Sequence, residues 1–279
     1  MRGGSQKVRI EERARKANSI TGFEEGAVAC RTPVRPHTWG MSLADNIRTV
    51  RQRIERACEA AGRSLDEVTL LAVSKNHPAS TVSEAVSEGL CLFGENRVQE
   101  ARIKIPASPG RARWHFIGHL QSNKARDAVS LFEMIESIDS LPLAMEVQKQ
   151  AEKLSKTVKV LAEVNVAGES SKFGWKPERL LEEMSQLNPL GRLEWHGLMT
   201  VAPYSVDPER VRPVFRRLRE LRDQCADRLG APLPVLSMGM SGDLEVAIQE
   251  GATLVRVGTA LFGERPKANQ AVHGAAGAE

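Results

Sequence analysis

The sequence predicts an α/β protein built as a (β/α)8 TIM barrel, with an extra helix ahead of the first strand. Short apolar runs alternate with helical patterns along the chain, and there are eight such runs. Strict alternation indicates right-handed βαβ units and a parallel sheet, which eight strands can close into a barrel. A doubly wound open sheet is the alternative, but no GxGxxG sequence follows the first run.

The chain opens with a segment, residues 1–40, that mixes charges, Gly, Pro and Thr without periodicity. We expect this segment to be a disordered N-terminal extension or the result of a misassigned start. Ser42 is suited to cap the helix that follows, and Gly62 is placed to end it. The apolar face of this extra helix consists of Leu43, Ile47, Val50, Ile54 and Ala57.

The barrel is predicted as one domain over residues 41–265, followed by a flexible tail over 266–279. A domain of about 200 to 250 residues is ordinary for such a barrel. Its strands are expected at residues 69–75, 90–95, 113–118, 134–139, 159–166, 193–201, 234–238 and 253–258. Its helices are expected at residues 79–88, 97–104, 122–131, 141–155, 177–187, 208–228 and 243–250.

Composition argues against several classes of protein. The sequence has 39 Lys and Arg, of which eight lie in residues 1–40, and 35 Asp and Glu, of which four lie there. Residues 41–279 therefore carry 31 positive and 31 negative side chains. A neutral barrel lacks the basic stripe of a nucleic-acid binder. No apolar run reaches the roughly 18 residues of a membrane span. The N-terminus also lacks a signal-peptide pattern, and we therefore expect a cytoplasmic protein.

The four cysteines indicate neither a metal site nor a disulfide framework. Cys30, Cys58, Cys91 and Cys225 lie far apart. They show no CxxC or Cys/His spacing. We therefore expect ordinary reduced thiols and no bound metal.

Lys75 ends the first predicted strand and is the candidate reactive amine. Five consecutive apolar or small residues precede it, which predicts a half-buried side chain. Partial burial lowers the pKa of a lysine and raises the fraction of neutral amine, the form that condenses with carbonyl compounds into Schiff bases. The alternative is a lysine that only extends its ammonium into water.

Two segments with glycine and hydroxyl residues follow the last two predicted strands. Ser241 and Gly242 follow strand 7, and Gly258 and Thr259 follow strand 8. In (β/α)8 barrels these loops commonly hold phosphate, through backbone N–H and hydroxyl donors. Together with the strand-1 lysine they predict an aldehyde that carries a phosphate, for which pyridoxal 5'-phosphate (PLP) is the obvious candidate. The alternative for Ser241 is a plain helix cap.

Arg256 lies in the eighth predicted strand, two residues before Gly258, so that the alternation of a strand puts both on one face. One interpretation is a structural ion pair with Glu95 or Glu163 inside the barrel. The other places the guanidinium against a pyridine nitrogen. A permanent cation there would disfavour protonation of that nitrogen and make the ring a poorer electron sink.

Seven segments carry a resemblance to a known family. They are Ala72-Val-Ser-Lys75, Phe93-Gly-Glu-Asn-Arg-Val-Gln-Glu100, His115-Phe-Ile-Gly-His-Leu-Gln-Ser-Asn-Lys124, Ser137-Ile-Asp139, Ser171-Lys-Phe-Gly174, Gly197-Leu-Met199 and Met238–Gly263. In this order they resemble the pyridoxal phosphate homeostasis (YggS/PROSC-like) family, which is related to the N-terminal barrel of alanine racemase. The resemblance spans about residues 42–264.

The resemblance implies a fold-type III barrel with PLP held as a Schiff base on Lys75 and Arg256 facing the ring nitrogen. It implies a phosphate site formed by Ser241, Gly242, Gly258 and Thr259. It further implies a pocket lined by Asn96, His115, Ser137 and Met199; for His115, a hydrogen-bonded core histidine is the alternative. Two departures are Asn76, where many relatives have Thr, and Gly242, whose position varies; neither affects the lysine.

The resemblance also bears on activity. Alanine racemase takes its second base, a tyrosine, from a C-terminal β domain of the other subunit, whereas here 16 residues follow Gly263 and the single tyrosine, Tyr204, lies in a predicted loop. We therefore expect a non-catalytic protein that stores, buffers or delivers PLP, with PLP-dependent apoenzymes as candidate recipients. We also expect it to be a monomer. The alternatives are a slow PLP-dependent amino-acid racemase and a class I aldolase that uses Lys75 without a cofactor.

Overall fold

The computed structural model describes residues 42–263, within which eight parallel strands close into a barrel in the order β1 to β8. The strands are β1 Thr69–Val73, β2 Leu92–Glu95, β3 Arg113–Phe116, β4 Met134–Ile138, β5 Val158–Glu163, β6 Leu193–Met199, β7 Val235–Ser237 and β8 Leu254–Val257. The helices are α1 Leu43–Ala60, α2 Ala79–Ser87, α3 Val98–Lys104, α4 Ala125–Leu131, α5 Leu141–Lys153, α6 Pro177–Leu187, α7 Arg212–Leu229, α8 Leu244–Gln249 and α9 Thr259–Phe262.

The predicted (β/α)8 barrel is confirmed, with small differences at the element ends. The expected helices at 122–131 and 208–228 each begin with a 3-10 turn, at Ser122–Lys124 and Pro208–Val211. Helix α9, after β8, adds to the expected helices. The predictions of a disordered segment over 1–40 and a flexible tail over 266–279 lie outside the described residues.

Helix α1 begins and ends where its sequence signals indicate. The Ser42 hydroxyl accepts a hydrogen bond from the Asp45 N–H, and the Asp45 carboxylate accepts one from the Ser42 N–H, which forms a capping box. The helix ends before Gly62, which has a φ of +63° that glycine adopts without strain. Its apolar face is buried against the rest of the protein: Leu43, Ile47, Val50, Ile54, Ala57 and Cys58.

Alternation along the strands divides the apolar residues between two sides of the sheet. In β1, Ala72 belongs to the large core between the sheet and the helices, whereas Leu71 and Val73 pack with Leu92 and Leu254 in a second cluster. A third cluster joins Met134, Leu161 and Met199. Because neighbouring residues of a strand face opposite sides, these two small clusters fill the barrel interior.

Strand β4 departs from simple alternation, and this departure shapes the interior. Its pairing with β5 shifts register between Ile135 and Ile138, and both of these isoleucines belong to the outer core. Glu136 and Ser137 lie between them and are both fully buried. The shift thus lets β4 bury two consecutive polar side chains, which a regular strand would send to opposite faces.

None of the helices within residues 42–263 is long and apolar enough to cross a membrane.

Candidate functional site

The carboxyl end of the barrel brings the predicted lysine and the predicted strand-8 loop together. Strand β1 ends at Val73, so Lys75 lies in the turn just beyond the strand rather than at its last residue, and its side chain is half-buried. Gly258, just after β8, packs against Val73, because a Cβ added to it would lie 3.4 Å from the Val73 carbonyl oxygen. The carboxyl ends of β1 and β8 are therefore direct neighbours.

A side-chain hydrogen bond joins the loops that follow β7 and β8. The Ser241 hydroxyl accepts from the Ala260 N–H across 3.3 Å. Ser241 therefore does not cap α8; the N-cap residue is Asp243, whose Oδ1 accepts from the Met240 N–H at 2.6 Å. The cap interpretation of Ser241 was wrong because the backbone turns sharply enough for the Asp243 carboxylate to close its own turn.

The four residues predicted to hold phosphate are all at least partly accessible. Gly242 and Thr259 are exposed, and Gly258 and Ser241 are half-buried. A Cβ added to Gly242 would meet no atom within 4 Å, so the space beside this glycine is open. The loops after β7 and β8 thus carry accessible glycine and hydroxyl residues, which are the residue types of phosphate sites.

Helix α1 holds both loops from outside, through residues that the sequence analysis did not single out. Arg53 donates to the Ser241 carbonyl oxygen at 2.9 Å and forms a bidentate pair with Glu245 at 2.6 and 2.8 Å. The Asn46 side chain donates to the Leu261 carbonyl oxygen at 2.9 Å. The extra helix therefore fixes the loops after β7 and β8 in addition to covering the core. No local sequence pattern signals contacts between residues about 190 to 215 positions apart.

Arg256 lies inside the barrel, as alternation predicts, and is 4% exposed. It donates to the Ser237 hydroxyl at 2.5 Å and to the Thr200 carbonyl oxygen at 2.7 Å. Arg256 is therefore held by these two hydrogen bonds rather than by a direct ion pair with Glu95 or Glu163, which was one of its two interpretations. Burial lowers the pKa of the Arg256 guanidinium, and the carboxylates of Glu136, Glu163 and Asp243 oppose this effect. An arginine stays protonated even so.

His115 and Glu136 extend the interior chain of hydrogen bonds. The His115 Nδ1 lies 2.6 Å from one Glu136 carboxylate oxygen, and the other oxygen accepts from the Ser237 hydroxyl at 2.5 Å. This contact fits the core-histidine alternative. The carboxylate also fixes the orientation of the imidazole ring and so the direction in which the other ring nitrogen, Nε2, points. Glu136 and Ser237 were missed by the sequence analysis, since a lone Glu and a lone Ser in apolar strands give no signal.

Glu163, the last residue of β5, is an acid with an unusual pKa at this end of the barrel. Its burial raises the pKa to about 7, and the charge of Asp139 adds to this effect while that of Arg256 opposes it. The group can thus change its protonation near neutral pH, which is typical of carboxyl groups at functional sites. The sequence analysis considered Glu163 only as a partner for Arg256.

Two of the predicted pocket residues carry buried polar atoms that lack a partner among the described residues. They are the Asn96 Oδ1 and the Ser137 Oγ. Buried polar atoms are nearly always hydrogen-bonded, so such atoms mark where an additional group would bind. Met199 is 1% exposed and lies deeper, in the interior cluster with Met134 and Leu161. Within residues 42–263 no three His, Cys, Asp or Glu side chains are grouped to hold a metal ion.

Comparisons with known proteins place this barrel of eight parallel strands in the class of the alanine racemase N-terminal domain. The sequence matches the family described as "Alanine racemase, N-terminal domain" over residues 42–266. The solved structure of alanine racemase from Clostridium difficile has a TM-score of 0.65 at 16% identity, and the match covers 80% of this chain and 58% of that one. At this identity the likeness concerns the fold alone.

Closer relatives define the family. The pyridoxal phosphate homeostasis protein of Aquifex aeolicus is 47% identical over 226 residues, which cover 81% of this chain and 99% of that protein. The Pseudomonas aeruginosa protein of the same name is 43% identical, over 80% and 96%. PipY of Synechococcus elongatus, solved with PLP bound, has a TM-score of 0.71 at 37% identity, over 80% and 100%. The chain belongs to the pyridoxal phosphate homeostasis protein family.

Proposed function

We propose that this protein binds PLP as a Schiff base on Lys75 and keeps the cofactor available to the cell by storing, buffering or delivering it. The observation that carries the proposal is the meeting, at one end of the barrel, of the Lys75 turn with the loops after β7 and β8. A half-buried amine beside Gly258, and a Ser241 hydroxyl bonded to the next loop, suit an aldehyde that carries a phosphate.

The residues present fit this cofactor. Ser241, Gly242, Gly258 and Thr259 would hold the phosphate through hydroxyl and N–H donors. The unpartnered Asn96 Oδ1 and Ser137 Oγ would contact polar groups of the ligand, with His115 and Met199 completing the pocket. When bound, PLP supplies an aldehyde for condensation with an amine and an aromatic ring that withdraws electrons.

Arg256 supports a carrier rather than an efficient catalyst. Its guanidinium is held by the Ser237 hydroxyl and the Thr200 carbonyl oxygen, and it remains a cation. We propose that it faces the ring nitrogen of PLP, where its positive charge would disfavour protonation of that nitrogen. A ring without that proton withdraws electrons less strongly.

The position of the single tyrosine also argues against two-base racemisation. Tyr204 is 93% exposed, in the segment between β6 and α7. A catalytic base must lie within hydrogen-bonding reach of the proton that it removes, in a site shielded from water. Tyr204 is not shielded in this way, so we propose that any racemase activity of the chain is low.

The direct test is covalent labelling of Lys75. The full chain is incubated with PLP, its visible Schiff-base absorbance is recorded, and the sample is reduced with borohydride and mapped by mass spectrometry. We expect the label on Lys75 and no visible band in Lys75→Ala. Lys149→Ala, which removes a 60% exposed lysine of α5, is the matched control and should bind PLP like the unaltered protein. A visible band that persists in Lys75→Ala would overturn the proposal.

A second experiment separates the carrier from the two enzymatic alternatives. The PLP-loaded protein is mixed with a PLP-dependent apo-aminotransferase, and recovery of aminotransferase activity is followed against the same concentration of free PLP. A carrier restores activity. The same sample is incubated with single amino acids in D2O, and α-proton exchange is measured. Exchange at about one turnover per second or faster indicates a racemase instead, and borohydride trapping of a substrate aldehyde without PLP indicates an aldolase.

A further inference from the structure

Lys104, the last residue of α3, is buried directly behind the turn that carries Lys75. Its side chain is 5% exposed, and its ammonium group donates to three acceptors. These are the Ser74 carbonyl oxygen at 2.8 Å, the Glu95 Oε1 at 2.6 Å and the Glu100 Oε1 at 2.7 Å. An ammonium group can donate three hydrogen bonds, so all the donors of Lys104 are used within this cluster of contacts.

The two carboxylates of this cluster also bind the residues on either side of Lys75. The Glu95 Oε1 accepts from the Ser74 hydroxyl at 2.6 Å. The Glu100 Oε1 accepts from the Asn76 N–H at 2.7 Å. We call Lys104, Glu95 and Glu100 the Lys104 cluster. Residues 74 and 76 are thus both attached to the cluster, although β2 and α3 provide its members.

The backbone just after Lys75 adopts a conformation that needs such support. Asn76 has a φ of +64°, one of two positive values among the non-glycine residues of the described chain. The left-handed region is accessible to asparagine but still costs free energy relative to an ordinary conformation. The charge-assisted hydrogen bond from Asn76 to Glu100 offsets this cost and fixes the direction in which the chain leaves Lys75.

Stability alone does not account for the cluster. A buried ion pair contributes little to the free energy of unfolding compared with apolar side chains of the same volume, because desolvation of the charges offsets their attraction. Here Glu95 is fully buried, and this burial raises the pKa of Glu95 even though the Lys104 ammonium opposes the shift. What the cluster achieves that apolar residues cannot is to bind three polar groups of residues 74 and 76.

We propose that Glu95, Glu100 and Lys104 are positioning residues, which hold the backbone on both sides of Lys75 so that its amine meets the PLP aldehyde in a reactive orientation. This inference rests on the proposed function of Lys75. The cluster does not touch the ligand in this proposal; it acts through the turn. Misplacement of a reacting group by about 1 Å can slow a reaction a hundredfold.

Glu100 offers the sharpest test, because its side chain is 23% exposed and a change there keeps both members of the buried Glu95–Lys104 pair. Glu100→Ala removes the acceptor that the Asn76 N–H and the Lys104 ammonium share, whereas Glu100→Gln keeps an acceptor oxygen of the same reach for both. Glu146→Ala is the matched control, since Glu146 also accepts from a residue four positions along its helix, Gln150 at 2.6 Å, but lies on α5. The full chain is used for each variant.

The readouts are the rate at which the visible Schiff-base band appears at saturating PLP and the midpoint of unfolding in urea. We expect Glu100→Ala to slow the appearance of the band about tenfold or more, because, of its two lost hydrogen bonds, the one from the Asn76 N–H acts directly on the turn, and one charge-assisted hydrogen bond corresponds to about this factor. Glu100→Gln should restore the rate to within about threefold, and Glu146→Ala should leave it unchanged. A purely structural role would shift the urea midpoint of Glu100→Ala without changing the rate, and this result would overturn the inference.

Failure of the inference differs from failure of the proposed function. If Lys75→Ala abolishes the band while Glu100→Ala forms it at the unaltered rate, PLP binds to Lys75 but the Lys104 cluster does not position it. If the unaltered protein forms no band, the proposed function fails first. Lys104→Met provides a second variant: a rate that equals that of the unaltered protein, in a protein that still folds by circular dichroism, also contradicts the inference.

Discussion

The Arg256 guanidinium donates to the Ser237 hydroxyl at 2.5 Å, and that hydroxyl donates in turn to the Glu136 carboxylate. A cation, a hydroxyl and an anion therefore follow one another across three strands of the barrel interior. The Ser237 hydroxyl between the two charges both accepts and donates a hydrogen bond. A buried series of polar groups must be satisfied in this way in order not to destabilise the fold. Two site residues proposed from the sequence, Arg256 and His115, are the two ends of this chain of side chains.

Loss of the Arg256 charge should destabilise the protein strongly. Arg256→Met would leave the Ser237 hydroxyl and the Thr200 carbonyl oxygen without their donor, and the Glu136 carboxylate without a nearby cation. Removing one partner of a buried ionic chain costs about 3 kcal/mol or more in the free energy of unfolding, which urea denaturation measures. Arg217→Met, at a 45% exposed arginine with a 3.8 Å ion pair, should change it by less than about 1 kcal/mol. Equal losses in both variants would contradict the prediction.

Glu163 should make the stability of the protein depend on pH. Its pKa in the folded protein, about 7, lies above its ordinary value of 4.5. Between these two values the folded state binds more protons than the unfolded state, so the contribution of Glu163 to the free energy of unfolding falls as the pH rises from about 4.5 to about 7. Glu163→Gln, which cannot ionise, should therefore gain stability relative to the unaltered protein over this range, by up to about 3 kcal/mol.

Urea denaturation at about pH 5 and about pH 8 checks this prediction. The exposed Glu182, which is 69% accessible, provides the control. The difference in stability between Glu182→Gln and the unaltered protein should stay nearly constant across the range. If the Glu163→Gln difference is also constant, the carboxyl of Glu163 is not perturbed by its position at the barrel mouth.

The fold could be predicted from the sequence because its signals are local. Apolar runs and helical patterns of the right length recur along the chain, and Ser42 and Gly62 mark the ends of α1 through capping chemistry that each encodes by itself. Lys75 and the loops after β7 and β8 followed from a rule about the carboxyl ends of barrel strands. Their roles toward PLP remain predictions that the experiments above address.

The contacts between distant residues could not be predicted. Ser237 and Glu136 are 101 residues apart, and their meeting depends on the register shift in β4 that buries Glu136 and Ser137 together. The residues of an apolar run do not indicate where such a register shift occurs. The helix cap that was the alternative for Ser241 fails for a related reason: the competing acceptor, Asp243, differs from Ser241 only in where the backbone turns.

Gly118 should be intolerant of a side chain because of a close backbone approach. A Cβ at this position would lie 2.2 Å from the Asn96 carbonyl oxygen, too close for any real contact, so that the backbone of Asn96 must move in Gly118→Ala. We expect a loss of about 1 to 3 kcal/mol in urea denaturation and weaker PLP binding. Gly110→Ala, whose Cβ would meet no atom within 4 Å, should leave both unchanged. Unaltered PLP affinity in Gly118→Ala would show that Asn96 does not contribute to the site.

Ser241 should distinguish the phosphorylated cofactor from its unphosphorylated form. If the Ser241 hydroxyl contacts the phosphate, Ser241→Ala loses one hydrogen bond to a charged group, which raises the Kd for PLP about tenfold or more. Pyridoxal, which lacks the phosphate, should bind the variant and the unaltered protein alike, as equilibrium titrations of both compounds would measure. Ser87→Ala, at an exposed serine whose hydroxyl donates to the Glu84 carbonyl oxygen, is the control. Because the Ser241 hydroxyl also accepts from the Ala260 N–H, an equal loss for both compounds would instead assign it a purely structural role in joining the two loops.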